Sequence, residues 1–200
     1  YEILSVFIYS RIDKKTLDKL PNLRMIATRS TGFDHIDMDE CKKRNIIVET
    51  VPVYGSRTVA EYTIGLMLAV AKNIVESDEA LQDDEFSPEG LTGIDLYKKT
   101  LGIVGLGKIG SNVAKVARAM GMKIVAMDKN PNLKIVKRYK IEMVGLKELL
   151  QRSDVVSLHV PAIKETYHLI NRDTVKLMKP GSILINTSRG AVVESAAVVW

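Results

Sequence analysis

Three glycines carry the sharpest chemistry in this chain. Gly105, Gly107 and Gly110 form a GxGxxG run in the segment LGIVGLGKIG. By itself such a run is weak. Here it follows an apolar stretch of strand character and opens an amphipathic helical pattern. A second apolar stretch then ends in Asp128, 18 residues beyond Gly110, near the spacing of about 20 typical of dinucleotide-binding turns. The glycines have separable jobs. Gly105 permits the tight turn, Gly107 lets the backbone approach a pyrophosphate, and Gly110 lets the helix pack on the strand. With Lys108 and Ile109 they set free N–H groups and a positive helix end beside the phosphates. Asp128 can accept hydrogen bonds from the adenosine ribose, and its charge repels a 2′-phosphate. NAD is therefore expected over NADP, with Lys129 pulling slightly the other way. The competing interpretation is a glycine turn that holds no ligand.

Few other groups are placed for chemistry. Arg189 sits just after the apolar run 182–186, and strand ends are where open α/β sheets bind ligands; the alternative is a surface arginine. Of the three histidines, His159 in HVP is read as structural or cofactor-lining rather than proton-transferring. His35 could line a cleft, and His168 is read as a surface or capping residue. None has metal-ligand spacing with another His, Cys or carboxylate, so no metal is expected. Met120, Met122 and Met127 read as core.

The elements that must position these groups follow a βαβ rhythm, which argues for parallel sheets covered by helices. In a first module, residues 5–9, 23–28 and 46–49 read as strands. Asp13 caps a helix stopped by Pro21, and Asp37 with Glu40 resembles a capping box for a helix through Cys41 to Arg44. After Pro52 and Gly55, Thr58 and Glu61 have capping-box spacing for a long helix. Its stretch 64–71 is apolar except at Gly65, so it must be buried on several sides, between domains or at a subunit contact. Residues 76–85, followed by Pro88, Gly90 and Gly93, read as an exposed helix end and loop. A second module has strands at 101–104, 123–127, 142–144, 154–160 and 182–186. One helix sets Ile109, Val113, Val116, Ala117 and Met120 on a single face and ends at Gly121; another runs through Leu149 and Leu150. The expected fold is α/β, with two Rossmann-like or flavodoxin-like parallel-sheet lobes, both incomplete. They divide at 1–53 and 54–200, the long helix opening the second.

Composition is that of a soluble globular protein, 46% hydrophobic and 26% charged. Net charge is +5, but the basic residues are scattered and aromatics are 6%. A solvated basic surface is therefore preferred to a nucleic-acid interface. The one cysteine, Cys41, excludes an internal disulfide, and a reducing, cytoplasmic setting is expected. No run reaches the roughly 18 apolar residues of a membrane span, and no membrane partner is expected. The chain begins with Tyr1, without a basic leader.

Five ordered segments together resemble the D-isomer-specific 2-hydroxyacid dehydrogenase family: RSTGFDHID at 29–37, VPVYGSRTVAEYTIGLML at 51–68, the GxGxxG unit, SDVVSLHVP at 153–161, and MKPGSILINTSRG at 178–190. The loop at 29–37 and the Tyr54 segment look closest to D-lactate dehydrogenases. The resemblance implies a substrate lobe and an NAD lobe flanking a cleft, a homodimer built partly on the long helix, and reduction of a small 2-oxo acid by NADH or the reverse. Arg189 matches the family's catalytic arginine. A planar guanidinium suits that role, because it can hold a carboxylate and an adjacent carbonyl with directional, charge-assisted bonds. Thr31 and Gly32 match the loop whose backbone grips the substrate carboxylate, and Tyr54 matches a tyrosine facing substrate. Val160, Pro161 and Thr166 fall in a loop bordering the cofactor, beside His159. Asn186 and Thr187 are expected to touch the cofactor or to fix the Arg189 loop.

The family also uses a histidine held by a glutamate, both beyond the arginine, and neither match lies within these 200 residues. The final AVVESAAVVW resembles the helix that precedes them, so the chain is expected to be part of a longer enzyme. Trp200 itself tells little. Lactate, glycerate, glyoxylate, hydroxypyruvate and phosphoglycerate enzymes share these motifs. A different class, an NAD-sensing dimeric corepressor on the same fold, would bind a short peptide instead. A bare NAD-binding fragment without activity is a third reading.

Overall fold

Short β-rich runs and side-chain-capped helices build the first of two units, Tyr1–Gly55. The computed structural model describes residues 1–82, 87 and 89–198. Strands β1 (Ile3–Val6), β2 (Met25–Thr28) and β3 (Ile47–Glu49) pair in parallel in that order. Helices α1 (Lys14–Leu17) and α2 (Met38–Lys43) begin where the Asp13 and Asp37 carboxylates accept the N–H groups of Thr16 and Glu40. Leu17, Ile26 and Cys41 are buried in this unit's core. Two expectations need correction. The first strand lies at Ile3–Val6 rather than 5–9, because Ser10 N–H turns back to the Phe7 carbonyl. Asp37 caps α2, but the Glu40 carboxylate reaches Lys43 and Arg44 instead of closing a capping box.

The second unit, Ser56–Trp200, opens with α3 (Ser56–Ala71) and α4 (Ile74–Gln82). Helix α3 starts upstream of Thr58, so Thr58 and Glu61 lie inside it rather than capping it. The two helices meet at a 60° bend, where Asn73 takes a left-handed conformation (φ 49°). No single helix among the described residues is long and apolar enough to cross a membrane. The loop expected around Glu85 and Pro88, and Trp200, lie outside the described residues.

Five parallel strands follow: β4 (Thr100–Val104), β5 (Lys123–Met127), β6 (Glu142–Met143), β7 (Val155–Leu158) and β8 (Ile183–Asn186). Between them come α5 (Lys108–Ala119), α6 (Leu133–Arg138), α7 (Leu146–Arg152) and α8 (Arg172–Val175). A 3₁₀ turn, Gly190–Val192, and α9 (Ser195–Val198) close the unit. Their spatial order is β6-β5-β4-β7-β8. The chain grows outward from β4 on one side, then returns to build β7 and β8 on the other. The direction reverses between β4 and β7, and the crevice beyond their C-terminal ends is where open α/β sheets bind ligands.

Strand alternation divides the core into two layers. Leu101 and Ile103 face α3 and α5, with Met67, Val113 and Ala117. Val104, Val156 and Leu158 face α7, with Leu149 and Ile170. The buried stripe of α5 is Gly110, Val113, Ala114 and Ala117, the i, i+3, i+4, i+7 pattern. Val116, expected on that face, is exposed. Small residues let α5 sit close to α3 and the sheet. Helices α6 and α8 are short, and their signals are their caps, Asn132 and Asn171.

Candidate functional site

The glycine turn joins β4 to α5. Gly105 has φ +93°, and a Cβ on it would stand 2.7 Å from the His159 carbonyl oxygen. A side chain is excluded there twice, by conformation and by space. A Cβ on Gly110 would collide with the Gly105 carbonyl. Gly107 differs: among the described residues, nothing lies within 4 Å of its Cβ direction. It is the N-cap of α5 and makes no side-chain cap. A 12-residue helix therefore brings its positive end to the glycine turn. Lys108 and Ile109 form its first turn, Lys108 exposed.

Asp128, just past β5, ties this turn together. Its Oδ2 accepts the Leu106 N–H at 2.6 Å and its Oδ1 accepts the Asn130 N–H at 2.7 Å. Each carboxylate oxygen keeps a lone pair for a ribose hydroxyl. A glycine turn without side chains, a helix N-terminus and an acid at the end of the adjacent strand fit a dinucleotide.

At the ends of β7 and β8 the chain is held by its own side chains. Leu158 is in register with Val104 on one side and Asn186 on the other. His159 follows Leu158; its Nε2 lies 2.8 Å from Ser157 Oγ, and its Nδ1 is buried with no hydrogen-bond partner among the described residues. Burial lowers its pKa to about 4, so the ring is neutral at pH 7. Val160 packs beside Gly105. The Thr166 hydroxyl donates to the Pro161 carbonyl and accepts the Ile163 N–H. Thr166 thus folds its own loop, and its hydroxyl is spent there.

Arg189 lies on a turn that Asn186 clamps. Asn186 donates to the Arg189 carbonyl at 2.9 Å, and its Oδ1 accepts from both Ser188 N–H and Ser188 Oγ. The Arg189 guanidinium donates to the Ser188 carbonyl. Thr187 meets Thr63 of α3, hydroxyl to hydroxyl, at 2.9 Å. The structure thus gathers Gly105, Gly107, Gly110, Asp128, His159, Val160, Asn186, Thr187 and Arg189 at one end of one sheet.

In the first unit, Thr31 and Gly32 share a loop after β2. Thr31 Oγ1 donates to the Val51 carbonyl, and Ser30 Oγ donates to the Gly32 carbonyl. Thr28, nearly fully buried, links Ser30 to His35. Tyr54 is exposed.

Residues 64–200 match the model of the D-isomer specific 2-hydroxyacid dehydrogenase family, its NAD-binding domain. The chain belongs to this family. A glyoxylate reductase of Thermofilum pendens is 43% identical over 209 residues, covering 99% of this chain and 60% of that protein. The structure of Aquifex aeolicus D-lactate dehydrogenase complexed with NAD and lactic acid superposes with TM-score 0.95 at 42% identity. That match covers 98% of this chain and 59% of that one. The apo D-lactate dehydrogenase of Escherichia coli gives 0.86 at 36%, covering 98% and 62%. The chain spans about 60% of the length of the curated relatives it matches. NAD is the cofactor of the matched domain, in agreement with the glycine turn and Asp128. Among the described residues no group of His, Cys, Asp and Glu could hold a metal ion.

Sequence reasoning passed over Thr63, Ser157 and Ser188. The one signal for Thr63 was its place immediately before the apolar stretch 64–71; nothing in the linear order linked it to Thr187.

Proposed function

We propose that the protein carrying this chain is an NAD-dependent oxidoreductase that reduces a small 2-oxo acid to the D-2-hydroxy acid, or runs the reverse. The observation that supports it best is the Asn186-clamped turn presenting Arg189 at the end of β8, in the same sheet as the glycine turn. When bound, NADH supplies the hydride. Arg189 binds and polarises the oxo acid through charge-assisted hydrogen bonds. Gly105, Gly107, Lys108, Ile109 and Gly110 hold the pyrophosphate, and Asp128 the ribose. His159, Val160, Pro161 and Thr166 shape the cofactor border; Asn186 and Thr187 support the nicotinamide end. Residues 1–53 are part of the substrate domain, with Thr31 and Gly32 binding the carboxylate and Tyr54 facing substrate, and 54–200 belong to the NAD domain.

Our preferred substrate pair is pyruvate and D-lactate, supported by the 42% identity to a D-lactate dehydrogenase. The second reading is glyoxylate, favoured by the 43% identity to a glyoxylate reductase. We place the protein in the cytoplasm as a homodimer. Exposed apolar side chains on α3 and α4, Tyr62, Val70, Ile74 and Val75, support a subunit contact.

The test is a panel of pyruvate, glyoxylate and hydroxypyruvate with NADH and NADPH on the intact protein. NADH-dependent turnover of pyruvate is expected to lead. If glyoxylate leads, the second reading replaces the first; if no oxo acid is reduced, both fail.

A further inference from the structure

We infer that Thr63 on α3 is a positioning residue: it fixes the Thr187 hydroxyl as a hydrogen-bond acceptor for the nicotinamide carboxamide N–H₂. This rests on the NAD reading above. Thr63 is 1% exposed, so its hydroxyl must be satisfied inside the protein. Its Oγ1 lies 2.7 Å from the Val59 carbonyl oxygen and 2.9 Å from Thr187 Oγ1. A carbonyl only accepts, and a hydroxyl owns one proton. Thr63 therefore gives its proton to Val59, the familiar back-bond of a threonine to the carbonyl one turn earlier. Its lone pairs are left for Thr187, so Thr187 is the donor across the 2.9 Å contact.

The consequence falls on Thr187. Its single proton is spent on α3, and its oxygen offers only lone pairs to whatever lies past the end of β8. It is half-buried beside the turn that carries Arg189. Such an oxygen accepts an N–H donor and repels another acceptor. The phosphates of NAD are acceptors. Its amide, its adenine amine and its ribose hydroxyls donate, but Asp128 draws the adenosine to the end of β5. Three strand spacings separate β5 from β8, roughly 14 Å. At the nicotinamide end the amide N–H₂ is the N–H donor for Thr187; the ribose hydroxyls, present in both NADH and its 3-acetylpyridine analogue, cancel when the two are compared. Helix α3 thus sets the hydrogen-bond polarity of the nicotinamide end without touching the cofactor.

The intact protein, Thr63→Val and Thr63→Ser are titrated by calorimetry with NADH and with its 3-acetylpyridine analogue, in which a methyl replaces the amide N–H₂. Valine keeps the shape of threonine and removes the hydroxyl; serine keeps the hydroxyl. Wild type and Thr63→Ser should prefer NADH by about fivefold, the worth of one net hydrogen bond. Thr63→Val releases the Thr187 proton and should reduce that preference to less than about twofold, because the freed hydroxyl can also donate to the acetyl carbonyl. The same preference in all three proteins would overturn the inference. So would an equal loss of both ligands in Thr63→Val with a lowered melting temperature, which would mark Thr63 as purely structural. A wild type that binds neither ligand would bring down the NAD reading and this inference with it, a result distinct from either.

Discussion

At the residue scale, the two glycines at the start of the turn predict opposite failures. A side chain on Gly105 meets the His159 carbonyl and an unfavourable φ. A side chain on Gly107 meets no described residue within 4 Å, and on the proposed reading it would take the place of the pyrophosphate. Gly107→Val should therefore leave the thermal midpoint within about 2 °C of wild type, as for other changes away from packed features. Calorimetry should detect no NADH binding. Gly105→Ala should lower stability itself, by about 1–3 kcal/mol. Retained NADH affinity in Gly107→Val would refute the pyrophosphate assignment.

His159 makes a prediction about pH. Its folded pKa, lowered to about 4 by burial, lies below its ordinary value of 6.5. Between those values the unfolded chain binds the proton and the folded protein does not. Stability contributed by the neutral ring is complete above pH 6.5 and is lost as pH falls toward 4. The shift corresponds to about 3 kcal/mol. Urea titrations at a series of pH values should show this acid slope, and His159→Gln should flatten it. Arg189→Lys tests the guanidinium: a point charge cannot reproduce the two-pronged grip. A fall in kcat/KM of about 10²-fold is expected in steady-state assays of the intact protein, with NADH affinity little changed.

At the element scale, two short features support the site from below. Helix α8 is held by a complete capping box: Asn171 accepts from Asp173 and Thr174, and the Thr174 hydroxyl accepts the Asn171 N–H. Ile170, just before it, pairs with Val193 just after the Arg189 turn. Asn171→Ala should cost about 1 kcal/mol in urea denaturation and loosen that pairing. Strand β4 has a tighter constraint. A Cβ on Gly102 would collide with Ser153 Oγ and the Leu149 side chain, so α7 lies against the strand at the thickness of a glycine. Gly102→Ala should destabilise by about 1–3 kcal/mol, although an extended strand normally tolerates alanine.

At the scale of the whole molecule, each unit has its own core. The core of Tyr1–Gly55 gathers Leu17, Ile26 and Cys41. The sheet of Ser56–Trp200 is covered on both faces. Expressed alone, Ser56–Trp200 should fold cooperatively and bind NADH. Tyr1–Gly55 alone, a three-stranded sheet with one small core, should be largely unfolded by circular dichroism.

The sequence by itself determined whatever depends on periodicity and on local chemistry. The α/β alternation, the places of β5 and the glycine turn, the cap at Asp13 and the choice of NAD through Asp128 all rest on neighbours within one βαβ unit. Boundaries were less legible. The first strand was misplaced because the chain turns back at Ser10 to the Phe7 carbonyl, and Val116 because it falls beside the buried stripe of α5 rather than on it. Only the tertiary structure decided the strand order, which puts Asn186 two strands from Val104. It alone paired Thr63 with Thr187, 124 positions apart, and removed solvent from His159. Those outcomes depend on which surfaces meet when helices and strands pack. A hydroxyl's donor, or a ring's proton affinity, is set by neighbours that sequence spacing does not name.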